Sequence, residues 1–453
     1  MKYLLKFILL PLSLILLISC GGNSGKGGVV TTFTQIRVSH TSADAPKVKI
    51  KLNDTAVQNG AMFDYAETTG IATTMVGENT IAVDAILPDG TEATVIGPAN
   101  VTIEDDTTYD VFAIGSVADS TLEAYIVSYS RDFDNTLVRV NVSHLAEAAP
   151  MVDVHVTAPG AELSGSTVLG SFSYKQTLQP DPIPAGDYQI RVTLSGELNP
   201  VYDSGTLSLS AGSDLTLAAI PNVAATDGQS PISLLILNND TATVLNSAGD
   251  GADLRVVHNS ANAPAVDIVV NDNFAAPLVE SLAFPNFTPY VNVPAAEYGV
   301  KVAVENTQTV ALDAGSLDLM NGWTYSVIAL NTVDALEALV LADNPRKVAT
   351  EARLRAIHGS TLAGNVDIYI TAKDADIANL DPAVSDFAFK ADTGYVSLPE
   401  GEYDITLTPT GAKDIALGPL TVDLMNGKIY TVLARDEVGL GGANVTLLDD
   451  FNE

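Results

Sequence analysis

Cysteine is almost missing from this sequence: Cys20 is the only one in 453 residues. Without a second thiol no intrachain disulfide can form, and a cysteine-based metal centre is excluded. Tryptophan is as scarce, with Trp323 alone, so the cysteine pair and core tryptophan of true immunoglobulin domains are both unavailable. Basic residues are few, 22 Lys and Arg against 55 Asp and Glu, for a formal charge of −33. A surface of that sign repels phosphate backbones and argues against nucleic acid as a partner. There are five histidines, spread too thinly to converge as the three or four ligands of a zinc site. The G-x-S-x-G elbow, the H-E-x-x-H motif and the phosphate-binding P-loop are all absent. Carboxylate pairs are unavoidable among 55 acids and identify no glycosidase. Asp105-Asp106, Asp132-x-Asp134 and Asp449-Asp450 lack the D-x-[DN]-x-[DN]-G pattern, which leaves Ca²⁺ a weak candidate and no other cofactor indicated.

What is present is apolar material, 47% of residues, enough to build real cores. At the N-terminus Lys2 and Lys6 precede an apolar stretch from Phe7 to Ile18. That is shorter than the ~20 residues needed to cross a bilayer and suits a signal peptide. Leu17-Ile18-Ser19-Cys20, followed by Gly21-Gly22, resembles the lipobox of bacterial lipoproteins. The resemblance implies cleavage after residue 19 and acylation of Cys20, anchoring the chain in a membrane through its acyl chains. Gly21 in place of Asp implies sorting to the outer membrane, on its periplasmic or cell-surface face. Residues 1–19 are then a signal peptide and 20–33 a flexible tether.

The rest of the chain repeats itself. "IRVSHTSADAPKVKIKLND" from Ile36 recurs as "VNVSHLAEAAPMVDVHVTA", "LRVVHNSANAPAVDIVVND" and "LRAIHGSTLAGNVDIYITA". The first run ends at His40, His144, His258 and His358, and proline follows six residues later at Pro46, Pro150 and Pro264, with Gly364 in the fourth copy. Asp153, Asp267 and Asp367 recur in the next run, where the first copy has Lys49. A turn then introduces Tyr188, Tyr298 and Tyr403, a motif decayed in the first copy to Met75-Val-Gly-Glu-Asn79. Spacings near 100 residues indicate duplicated domains rather than a short solenoid motif. Each copy has about seven short runs of Val, Ile, Leu, Thr and Tyr between Gly, Pro, Asn and Asp turns, and none sustains a helical period. The fold class is therefore all-β: tandem antiparallel, immunoglobulin-like β-sandwiches in four copies of one ~100-residue unit. The repeats are placed at 34–128 (the most divergent), 137–238, 253–343 and 352–453, with a hinge at 239–253 separating two pairs.

The motif R-V-x-H-x-S-x-x-A-P-x-V-D-I/V, then P-A-G-x-Y, then G-x-x-Y-T-V, best kept in the third copy, resembles the bacterial family catalogued as domain of unknown function 4397. The resemblance implies an exported protein carrying the unit in tandem, often as a lipoprotein, and implies no activity.

Strand alternation puts each histidine on the core side of its strand, where it can satisfy backbone groups of the Ala-Pro loop. The same phase turns Asp267 outward, away from His258, so no His–Asp pair is expected to act on a substrate. Arg37, Arg255 and Arg355 also face outward, in reach of an outward Asp across strands. The tyrosines are expected to pin corners with their hydroxyls. These readings favour a non-catalytic, lipid-anchored envelope module that binds or presents an envelope or extracellular protein or glycan. An envelope hydrolase with one active repeat, and the others as spacers, is the alternative. Laid end to end, the units would project the last one ~100–150 Å.

Overall fold

The computed structural model describes residues 32–437, 442–448 and 451. The leader 1–19, Cys20 and nearly all of the tether lie outside them. In the first repeat β1 (Phe33–His40), β2 (Val48–Leu52), β3 (Thr55–Ala56), β4 (Ala72–Met75), β5 (Gly77–Ile86), β6 (Glu92–Ile103), β7 (Thr107–Ile114) and β8 (Glu123–Ser130) follow in order. They form two sheets, β4-β1-β7-β8 and β3-β2-β5-β6. All pairings in this repeat are antiparallel except β1 with β7, which run parallel from Gln35↔Thr108 to His40↔Ala113. The same two sheets recur in the other three repeats, giving eight sheets in four sandwiches. Repeats one, three and four have eight strands and repeat two has nine, rather than seven, and short strands such as β3, of two residues, and β4, of four, show no alternation in sequence.

Period-2 patterning builds each core. In the first repeat Ile36 and Val38 of β1 meet Ile50 of β2, Ile81 and Val83 of β5, and Val111 of β7. The counterparts in repeat two include Val140, Val142, Val154 and Val192.

The faces turned away from these cores are covered too. Phe112, Ile114, Val127 and Tyr129 of repeat one pack with Leu145, Ala218, Ile220, Leu235 and Leu237 of repeat two. Val257, Ile328 and Leu330 of repeat three meet Ile357, Leu433 and Leu448 of repeat four in the same manner. In each pair, the sheets containing the β1 and β7 strands lie face to face, so the pair is a stack of four sheets. This is why the β7 strand and its counterpart Thr324–Leu330 are buried on both faces over nearly their whole length instead of alternating.

The hinge expected at 239–253 is a built element. Thr241–Leu245 adds a fifth strand to the second repeat's seam-facing sheet. Beyond it the Asn246 amide reaches Asn321 O and Gly322 O, and Asn292 donates to Asp250 O at 2.9 Å. Arg346, between repeats three and four, donates to Ala43 O at 2.9 Å and contacts Asp64 and Ala45 O of repeat one. Ala349 N–H donates to Asp44 O at 2.8 Å. The repeats thus fold back on one another, and the end-to-end projection expected from sequence does not occur.

Candidate functional site

The recurrent histidines perform one task in all four copies. Nε2 meets the carbonyl oxygen six residues on: His40 to Pro46 at 3.0 Å, His144 to Pro150 at 3.2 Å, His258 to Pro264 at 3.0 Å and His358 to Gly364 at 2.7 Å. A carbonyl only accepts, so Nε2 carries the proton and donates it. Gly364 keeps the contact through a different backbone, φ +62°, which proline cannot adopt. Burial lowers the pKa of all four imidazoles, that of His40 to about 4. The folded state therefore prefers neutral His40, while the unfolded chain takes up its proton near pH 6.5. Stability from this group is complete above pH 6.5 and is lost as pH falls toward 4. At ~1.4 kcal/mol per pH unit that loss is roughly 3 kcal/mol. Melting temperature measured from pH 7 to pH 4 is expected to fall over this window. His40→Gln, which keeps a donor but does not titrate there, is expected to flatten that part of the profile.

The aspartates lie on the opposite sheet and are buried, not solvent-facing as their outward phase suggests. Asp267 accepts from Ser281 N–H at 2.8 Å and Asn306 N–H at 2.9 Å. Asp367 accepts from Asp386 N–H at 2.9 Å and Gly411 N–H at 2.8 Å. Asp153 accepts from the Ser171 hydroxyl and Gly196 N–H, which together hold its carboxyl below the usual range. Each carboxylate thus ties a neighbouring edge strand and a turn to its own strand. In the first repeat Lys49 instead makes a partly exposed ion pair with Glu92 of β6 at 2.5 Å. His258 and Asp267 share no partner. His155, the extra histidine of repeat two, is hydrogen-bonded to the Ser166 hydroxyl at 2.9 Å.

The tyrosine hydroxyls donate to the carbonyl four residues back: Tyr188 to Pro184, Tyr298 to Pro294 and Tyr403 to Pro399, at 2.8–2.9 Å. Asn79 replaces this bond in repeat one, its amide donating to Met75 O at 2.8 Å. Two further repeated groups escape the sequence reading. The hydroxyls of Tyr109, Tyr325 and Tyr430 accept from the backbone N–H five residues earlier. Thr69, Thr288 and Thr393 accept from a β1-strand N–H. Hydroxyl residues at fixed distances before and after the strands were the available signal.

The outward arginines are buried rather than solvated, and their partners are not the repeated aspartates. Arg37 forks onto Asp110 of β7, Nε to Oδ1 at 2.9 Å and Nη2 to Oδ2 at 2.8 Å, and also donates to Asn239 O of repeat two at 3.0 Å. The Thr216 hydroxyl of repeat two donates to Asp110 at 2.6 Å. In the second pair Arg355 of repeat four holds Asp343 of repeat three at 2.6 Å and forks onto Asp392. Ser326 and Tyr290 also donate to Asp343. Each network sits in the seam between paired repeats.

One large cleft opens where the two pairs meet, with a volume of about 850 Å³. Its walls include Pro221 of repeat two, Arg255, Phe287 and Tyr290 of repeat three, Lys347 of the following junction, and Phe451. Among the described residues no group of three or more His, Cys, Asp or Glu is placed to hold a metal ion. No helix among them is long and apolar enough to cross a membrane.

Fold and repeated contacts together define a tandem β-sandwich protein whose signature residues brace each unit internally. The chain belongs to the family described as "Domain of unknown function (DUF4397)", whose profile matches residues 34–155, 159–250, 252–369 and 371–453. No curated protein matches the sequence. Among solved structures it is similar to the Bacillus anthracis TIE protein at 10% identity, covering 91% of this chain and 76% of that one with a TM-score of 0.16. It is also similar to the major pilin subunit BcpA of Bacillus cereus at 10% identity, covering 66% and 99% with a TM-score of 0.14. At these scores neither carries an argument about function.

Proposed function

We propose that this chain is an exported, lipid-anchored envelope protein whose four β-sandwiches form a non-catalytic binding or presentation module. The observation that carries the reading is the fate of the signature residues. Histidine, aspartate and tyrosine are each consumed by hydrogen bonds within their own repeat, facing sheets or turns and not the cleft. An enzyme requires such groups to converge beside a concave pocket. Acyl chains on Cys20 hold the module at the outer membrane, and a protein or glycan of the envelope or extracellular space is its ligand. No cofactor takes part, and melting in Ca²⁺ is expected to equal melting in EDTA.

The test applies purified residues 21–453 to glycan and envelope-protein arrays, alongside membrane fractionation of cells expressing wild type or Cys20→Ser. Saturable binding to one ligand class, with the Cys20→Ser chain released to the soluble fraction, is expected. Turnover of a glycan or peptide substrate that is abolished by His258→Gln would overturn the non-catalytic reading.

A further inference from the structure

The cleft between the pairs holds a contact that repeat packing does not require. We propose, resting on the binding-module reading, that this cleft docks a peptide segment bearing an aromatic side chain flanked by carboxylates. Phe451 occupies that position in the free protein.

Tyr290 is the platform. Its hydroxyl donates to Asp343 at 2.8 Å, and Asp343 is itself held by Arg355 at 2.6 Å, so the seam network of repeats three and four fixes the ring. The Arg255 guanidinium carbon lies 4.7 Å from the ring centroid, within cation–π range. Arg355 stacks on Tyr395 in the same way at 5.1 Å, so the Arg–Tyr unit is a repeated construction. At Tyr290 alone of these two a third group is added: the Phe451 ring stacks on it, centroids 4.8 Å apart and planes inclined by 16°. Phe451 follows the last strand, Ala443–Leu448, and belongs to no sheet.

The chemistry around the platform selects the ligand. A single phenyl ring fills little of an 850 Å³ cleft, a size in the range of ligand sites. Phe287, 41% exposed, and Pro221 offer further apolar wall. Arg255 and the exposed Lys347 bring two cations to one cleft in a chain of net charge −33, against one lining carboxylate, Asp44, which is already occupied by the Ser116 hydroxyl and the Val117 and Ala118 N–H groups. The sequence around the resident ring, Asp449-Asp450-Phe451-Asn452-Glu453, is acidic. Aromatic stacking supplies affinity, and the cations select a carboxylate-flanked ring over a neutral one. A partner segment of this type competes with Phe451, so the affinity seen from outside is reduced by the fraction of time the cleft is already filled.

The experiment uses residues 21–453 and a fluorescent peptide with the sequence of residues 447–453, read by polarisation. If Phe451 is docked about nine-tenths of the time, Phe451→Ala is expected to bind the peptide ~10-fold more tightly than wild type. In the Phe451→Ala background, Tyr290→Ala is expected to abolish binding and Lys347→Glu to weaken it several-fold. Tyr290→Phe, which keeps the ring, is expected to retain binding and serves if Tyr290→Ala fails to fold. A peptide carrying Ser for Phe is expected not to bind. Equal affinity of wild type and Phe451→Ala, or equal binding of the Ser peptide, overturns the proposal. An oligosaccharide that outcompetes the peptide at Tyr290 also overturns it. If array ligands bind with no sensitivity to Phe451 or Tyr290, this proposal falls while the binding-module reading stands. If the peptide behaves as expected but no array ligand binds, the docking site stands and the wider reading does not.

Discussion

Arg37→Ala is expected to destabilise the first pair of repeats by ~3–5 kcal/mol, because it strands the buried Asp110 carboxylate without its cation. Arg37 and Asp110 are 2% and 1% exposed, so water cannot take over the lost bonds. Replacing both, as Arg37→Met with Asp110→Leu, removes the charge along with its partner and is expected to restore most of the loss. Arg131→Ala, at an exposed position between the same two repeats, is expected to change stability by no more than ~0.5 kcal/mol. Denaturant unfolding of the four proteins decides the matter. A loss below ~1 kcal/mol for Arg37→Ala would show that the seam network contributes nothing beyond its packing.

The second large effect is expected at the other seam. Leu433 is fully buried against Ile328, Leu330 and Ile357, so Leu433→Asp places an unpaired carboxylate where no donor awaits it. The expected cost exceeds ~4 kcal/mol. Leu433→Ala, which only opens a cavity, is expected to cost ~2–5 kcal/mol. Because Leu433 faces repeat three and not its own core, the aspartate variant should part repeats three and four while leaving the first pair intact. Calorimetry is expected to show a new, earlier transition, and small-angle scattering a larger radius of gyration. A single unchanged transition would mean that the seam does not hold the pair together.

The sequence made the interior of each unit readable because one face of a sandwich strand is always dry, which imposes a period of two. That period placed His258 beside its own loop and Val256 in the core, and the structure has both there. It could not say what covers the opposite face. Arg37 and Asp267 have equal claim to be solvated in a single repeat, yet one is sealed by a neighbouring domain and the other by an edge strand and a turn of its own. One trace of the seam was visible: the run "YSVIAL" (325–330) has no polar face of the kind a water-exposed strand shows. The cleft left no such trace. Phe287, Tyr290 and Phe451 lie far apart in sequence from the Pro221 and Lys347 walls, and only the stacking of pairs brings them together.

The face-to-face seam also sets an arithmetic for this architecture. A lone repeat would present residues such as Phe112 and Ile114 to water as a broad apolar sheet. Two repeats are therefore the smallest unit that covers both such faces, and an odd number would leave one of them exposed.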